Sequence, residues 1–259
     1  MLYAILKPLT LALMRLLFGF RRRGTEHVPA KGPVLLVANH QSFLDPPLVG
    51  AALPRQLTFM AKAELFDVPL FGGLIRRLNA QPLRREGGDA GALRTALRVL
   101  KNGGALLVFP EGTRGEGDIL GPAKPGAGML AVLGGAPVIP VYISGSGRAW
   151  PRGRRFPRRA NVTVTFGSPL PVTVGGHASR KDDYEAVSRQ MMSAITGLRD
   201  SASSGDSRAG VVRAAGRRGA GPPPSEASLF TARDERRAVD GVGVGGARTS
   251  PKYTDGRNR

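Results

Sequence analysis

Two short segments of this 259-residue chain combine side chains that can move a proton or hold an anion. In the first, VLLVANHQSFLDPP over 34–47, an apolar run leads into Asn39, His40 and Asp45. His40 and Asp45 are five residues apart, which on a regular helix would turn them about 140° from each other. They can meet only if His40 leaves a strand and Asp45 starts the following helix, just before Pro46. Asp45 could then accept a hydrogen bond from one ring nitrogen of His40, fix the tautomer and stabilise the imidazolium, leaving the other nitrogen free to take a proton. The alternative is a histidine in an ordinary strand-to-helix turn with a helix-capping aspartate. In the second segment, ALLVFPEGTRGEG over 105–117, a strand opens at Phe109 into Pro110, Glu111, Gly112, Thr113 and Arg114. Gly112 admits close approach of a ligand, Thr113 offers a hydroxyl and Arg114 a planar fork for phosphate oxygens. Glu111 would repel a phosphate, so it is expected to position an arginine or bond a substrate hydroxyl. Standing alone, this segment would sooner be read as an ordinary Pro-Glu-Gly turn.

The elements that must position these residues are visible as an alternation of short apolar runs and helical periods between about 24 and 200. Strands are expected at Val34–Ala38, Leu57–Ala61, Ala80–Leu83, Ala105–Phe109, Val138–Ile143 and Val162–Phe166. Helical faces fall at Asp89–Lys101, through Leu93, Ala96, Leu97 and Leu100, at Gly126–Leu133, and at Asp182–Leu198, with acids in its first turn. Such alternation predicts an α/β fold: a single domain with a mixed, largely parallel sheet flanked by helices. Functional loops are expected at the strand ends.

Asn39-His40-x4-Asp45 followed some 70 residues later by Phe109-Pro-Glu-Gly-Thr-Arg114 closely resembles the glycerolipid acyltransferase family. KAELFDVPLFGGLIRRLNAQPLRRE, residues 62–86, is similar to the family's second block, and places Arg85 at the phosphate-binding arginine. It departs from the pattern at Arg84, where an aspartate is common. APVIPVYISG, residues 136–145, is similar to the fourth block, whose Ile139, Pro140 and Val141 would shape an acyl or acceptor pocket. Lys124 and Gly126 resemble a basic-loop feature of the family.

The resemblance spans about residues 24–198. It implies transfer of a fatty acyl group from an acyl thioester to the free hydroxyl of lysophosphatidic acid, giving phosphatidic acid in phospholipid biosynthesis. Glycerol-3-phosphate or another lysolipid is the alternative acceptor. His40 would be the general base, oriented by Asp45, with no acyl-enzyme intermediate. Arg85 and Arg114 would hold the acceptor phosphate, Gly112 and Thr113 would line the same site and Glu111 would organise it. No metal or bound cofactor is implied; acyl-CoA or acyl-carrier protein enters as co-substrate.

Composition narrows the rest. The absence of cysteine excludes disulfides, thiolate metal sites and cysteine acyl-enzymes. His27, His40 and His177 are too few and scattered for a zinc cluster. The net charge of +19 calls for an anionic partner. Residues 201–259 have no apolar period and are expected to be a disordered basic tail; they carry +5, which leaves +14 on the remainder. Residues 1–20 hold 15 apolar residues interrupted by Lys7, Pro8 and Arg15, too broken for a spanning helix. Followed by Arg21, Arg22 and Arg23, they are expected to lie on an anionic membrane surface as an interfacial helix and anchor, over 1–23. A helix packed on the domain and a signal peptide are the alternatives. The protein is therefore expected at the cytoplasmic face of a membrane, peripheral or monotopic.

Rival functions fit less well. A serine-hydrolase elbow is not met by ISGSGR at 143–148, nor a dinucleotide loop by GSGRAW at 145–150. GRAWPRGRRFPRR at 147–159 interleaves arginines with Trp150 and Phe156 and could stack nucleic-acid bases, but lipid headgroups suit it equally. With the apolar N-terminus beside it, the membrane is favoured over nucleic acid. A non-catalytic lipid-binding descendant would be expected to have lost His40 or Asp45.

Overall fold

The computed structural model describes residues 2–83, 90–115, 119–175 and 179–216. Residues Met1–Ala214 form one compact unit and Ala215–Arg259 a second, of which only the first residues are described. Along the first unit run α1 (Leu2–Phe18), β1 (Arg21–Arg23), β2 (Val34–Ala38), α2 (Asp45–Ala52), β3 (Leu57–Lys62), α3 (Phe71–Arg77) and β4 (Ala80–Leu83). There follow α4 (Ala90–Lys101), β5 (Ala105–Val108), α5 (Pro125–Gly134), β6 (Val138–Ser144), α6 (Ser146–Ala149), β7 (Thr163–Phe166) and α7 (Arg180–Gly216).

The strands form one sheet in the order β1-β7-β6-β2-β5-β3-β4. Every neighbouring pair is parallel except β6 with β7. β2 is central because its sequence, VLLVA, is apolar at every position and all five residues are buried. Its side chains alternate between two cores. Val34, Leu36 and Ala38 pack with Met14 and Phe18 of α1 and Leu48, Val49 and Ala52 of α2. Leu35 and Val37 pack with Ala96 and Leu100 of α4, Leu130 of α5, and Val187, Met191 and Ile195 of α7. Helices thus cover both faces, as the alternation of elements predicts.

This topology makes a crevice. The chain leaves β2 towards α2 on one face and leaves β5, its neighbour, towards α5 on the other. Loops that diverge at the carboxyl ends of adjacent parallel strands leave a cleft between them. The two segments singled out in the sequence occupy those loops.

Three parts of the fold differ from the sequence expectation. Arg21–Arg23 form an edge strand, paired in parallel with β7, where no apolar signal marks one. α1 is part of the domain: Met14 and Phe18 are buried in its core, whereas Leu9, Leu13 and Leu16 face outward. The helix expected to end at Leu198 continues as α7 to Gly216, so the first sixteen residues of the expected tail are helical; the remaining tail lies outside the described residues. Among the described residues, no helix is long and apolar enough to cross a membrane.

Candidate active site

The site is built on Asp45. As the first residue of α2, followed by Pro46 and Pro47, it places a carboxylate at the positive end of the helix. Its side chain is fully buried, and one oxygen, Oδ2, accepts three hydrogen bonds: from His40 Nδ1 at 2.8 Å, Gln41 N at 2.7 Å and Ser42 N at 2.8 Å. The two backbone amides wrap the 40–42 turn around the carboxylate. With a buried carboxylate accepting at Nδ1, that nitrogen carries a proton, and Nε2 is the ring nitrogen left to exchange one. Nε2 has no hydrogen-bond partner among the described residues, and the His40 side chain is 19% exposed.

The second loop fixes the rest of His40. The imidazole stacks on Phe109 with ring centroids 3.9 Å apart and planes 15° from parallel. Glu111 Oε1 accepts the backbone N–H of His40 at 2.9 Å, and Gly115 N–H donates to the His40 carbonyl at 2.8 Å. The other carboxylate oxygen of Glu111 accepts Gly121 N–H at 2.8 Å. Glu111 is therefore buried, and among the described residues its two carboxylate oxygens are hydrogen-bonded to backbone N–H groups rather than to an arginine. Asn39, also buried, exchanges two hydrogen bonds with the Ile143 backbone, at 3.0 and 2.7 Å, tying the end of β2 to β6.

Cationic groups line the mouth. The Arg114 guanidinium lies 3.7 Å from the ring centre of Phe43. Burial and the neighbouring positive charge of Arg152 hold its pKa below the ordinary guanidinium value, and Asp45 opposes them. Gly112 adopts φ 68°, and a Cβ there would fall 2.8 Å from Lys124 Cδ and 3.1 Å from Lys124 Nζ. The Lys124 ammonium thus lies directly over the glycine backbone, which brings the two segments together. Thr113 is exposed on the same loop.

The sequence reading paired His40 with Asp45 and put Gly112, Thr113 and Arg114 on one loop, as found. It missed Phe109 and Phe43, whose aromatic character was the available signal, and Gly115 and Gly121, which act through backbone alone. Ile139 and Val141 are fully buried in the sheet core, and Pro140 is buried between them. Arg85 lies outside the described residues. Among those residues, no group of three or more acidic, histidine or cysteine side chains could hold a metal ion.

The acyltransferase family's sequence profile matches residues 19–144. Over 181 residues the chain is 28% identical to a protein of Bacillus subtilis named 1-acyl-sn-glycerol-3-phosphate acyltransferase, covering 70% of this chain and 88% of that one. It is 34% identical over 152 residues to a chloroplastic protein of Brassica napus with the same activity in its name, covering 57% of this chain. Here it spans less than half, 44%, of the relative's length. Among solved structures, the 1-acyl-sn-glycerophosphate acyltransferase PlsC of Thermotoga maritima superposes with a TM-score of 0.63 at 29% identity, covering 76% of this chain and 79% of that one.

Proposed function

Because this chain belongs to the glycerolipid acyltransferase family, we propose that it transfers a fatty acyl group from an acyl thioester to the free hydroxyl of lysophosphatidic acid, forming phosphatidic acid. The observation that carries this reading is the His40–Asp45 bond, which engages Nδ1 and leaves Nε2 as the nitrogen available to exchange a proton, with Arg114 close enough to feel the Asp45 charge. His40 Nε2 takes the proton of the acceptor hydroxyl as its oxygen attacks the thioester carbonyl. The C–S bond then breaks, and the imidazolium returns the proton to the leaving thiolate. Buried Asp45 stabilises the transient imidazolium. Positive charge from Arg114 and Lys124, with Arg85 by resemblance, holds the acceptor phosphate. Its hydroxyl is thereby kept beside the thioester, which supplies the proximity advantage.

The acceptor and product are membrane lipids, and a membrane-surface location fits the outer face of α1, where Leu9, Leu13 and Leu16 are exposed beside Arg21–Arg23. The cytoplasmic face is the side on which acyl-CoA or acyl-carrier protein would be met.

The test is incubation of the purified protein with labelled acyl-CoA or acyl-carrier protein and with lysophosphatidic acid, glycerol-3-phosphate and other lysolipids, the product being identified by mass. The expected product is phosphatidic acid, with turnover abolished in His40→Ala while vesicle binding persists. Turnover retained in His40→Ala would remove the base from this scheme. Product from another acceptor alone would reassign the substrate.

A further inference from the structure

Leu70 is the most exposed large apolar residue described, at 95%, and it adopts φ 62° and ψ −46°. An L-leucine in that conformation bears steric strain, and its side chain recovers nothing by packing within the protein. Beside it Val68 is 46% exposed, and on α3 Phe71 and Leu74, one turn apart, are each 43% exposed. The inner face of α3 is held tightly: Gly72 lies so close to the 63–66 turn that a Cβ would be 2.1 Å from the Phe66 carbonyl oxygen, and Ile75 packs with Phe66 and Ala80. The outward direction of Phe71 and Leu74 is therefore set by packing.

The place of this segment matters. β3 runs parallel to β5, and β5 parallel to β2, so the carboxyl end of β3 lies at the same edge of the sheet as Phe109 and His40. The apolar tip thus stands at the catalytic edge. Arg76 and Arg77 follow it in the last turn of α3, and Lys62, Glu64 and Asp67 precede it.

We propose that Val68, Leu70, Phe71 and Leu74 form an insertion face that enters the acyl region of an anionic phospholipid bilayer, with Arg76 and Arg77 at the headgroup level. Apolar side chains bordered by basic ones are the composition that binds such an interface. The proposal rests on the function above: an acceptor with one acyl chain and a product with two reside in a bilayer, and docking by this edge brings them to His40 without extraction into water.

The experiment compares the full chain with Leu70→Gly and with the pair Phe71→Ser and Leu74→Ser. Binding to equimolar phosphatidylcholine and phosphatidylglycerol vesicles is measured, and turnover is followed with vesicle-borne and with water-dispersed short-chain lysophosphatidic acid. Glycine relieves the positive φ, so Leu70→Gly is expected to melt no lower than wild type yet to bind vesicles about tenfold or more weakly. Turnover should fall with the vesicle-borne acceptor and stay within about twofold with the dispersed one. Unchanged vesicle binding in both variants would overturn the proposal. Loss of turnover confined to an acyl-carrier-protein donor, with vesicle binding intact, would overturn it in favour of a protein docking face. If wild type acylates neither form of acceptor while vesicle binding still depends on Leu70, the function above fails and the insertion face stands.

Discussion

Glu111 reaches across 71 residues of sequence to accept the backbone N–H of His40 at 2.9 Å. Its other oxygen takes Gly121 N–H, and Gly115 N–H bonds the His40 carbonyl, so the loop that carries Gly112, Thr113 and Arg114 also holds the backbone of His40 on both sides. A displacement of either loop is felt by the other. This coupling separates two roles that an acid beside Gly-Thr-Arg might serve, contact with substrate and support of the base.

If Glu111 is a support, Glu111→Ala should act on turnover and stability more than on acceptor affinity. Truncation leaves two part-buried N–H groups unpaired, each costing up to about 1 to 3 kcal/mol where water cannot replace the carboxylate. The expected outcome is a lowered Tm and a kcat reduced roughly 10- to 100-fold, with KM for lysophosphatidic acid changed less than about threefold. Glu111→Gln, which keeps an acceptor for His40 but turns its amide on Gly121, should fall between. A rise in KM at constant kcat would return Glu111 to the substrate.

Asp45→Asn tests the charge at the helix start separately from the geometry. One asparagine oxygen can still accept His40, Gln41 and Ser42, so the turn should hold. The imidazolium loses its counter-charge, and kcat should fall by about 10² to 10⁴ while the melting temperature changes little by comparison. Near-wild-type kcat would mean that orientation of the ring, and not charge, is what Asp45 contributes.

Much of this arrangement was legible in the sequence, and the reasons differ by residue. Val34–Ala38 and Ala80–Leu83 match the expected strands in both bounds, and for VLLVA the reason is an unbroken apolar run between turn residues, which leaves little latitude. The His40–Asp45 pair followed from a spacing that only a strand-to-helix break can reconcile. The partners of Glu111 were not legible because they are backbone amides, which every residue carries and no pattern marks. Arg21–Arg23 gave no strand signal, since pairing at a sheet edge needs only main-chain groups and all three side chains stay exposed. The pocket role of Ile139 to Val141 rests on resemblance alone, because an apolar run of core strand and one of binding-site wall have the same composition.

Phe43 offers a way to perturb Arg114 without touching its charge. The guanidinium rests over the ring at 3.7 Å, and such a contact contributes about 0.5 to 1 kcal/mol at an exposed site. Phe43→Leu should therefore raise KM for the phosphorylated acceptor about two- to fivefold with little change in kcat, and Phe43→Trp should keep the wild-type value. Arg114→Ala is expected to have a larger effect of the same kind. An effect confined to KM for the acyl donor would count against phosphate as the ligand of Arg114.

Gly112 sets the height of the Lys124 ammonium above the loop, which leads to the sharpest distinction between neighbouring substitutions. The glycine is at φ 68°, and an added Cβ would lie 2.8 Å from Lys124 Cδ, so Gly112→Ala both strains the backbone and drives the lysine off. Strain alone would cost roughly 1 to 2 kcal/mol of stability. Displacement of the cation should in addition raise KM for lysophosphatidic acid, to about the level of Lys124→Met, and leave an uncharged acceptor unaffected. The double variant Gly112→Ala with Lys124→Met should be no worse in KM than either single change, because both remove the same charge from the same place. Additive losses in KM would show that the Gly112 backbone contacts the phosphate in its own right.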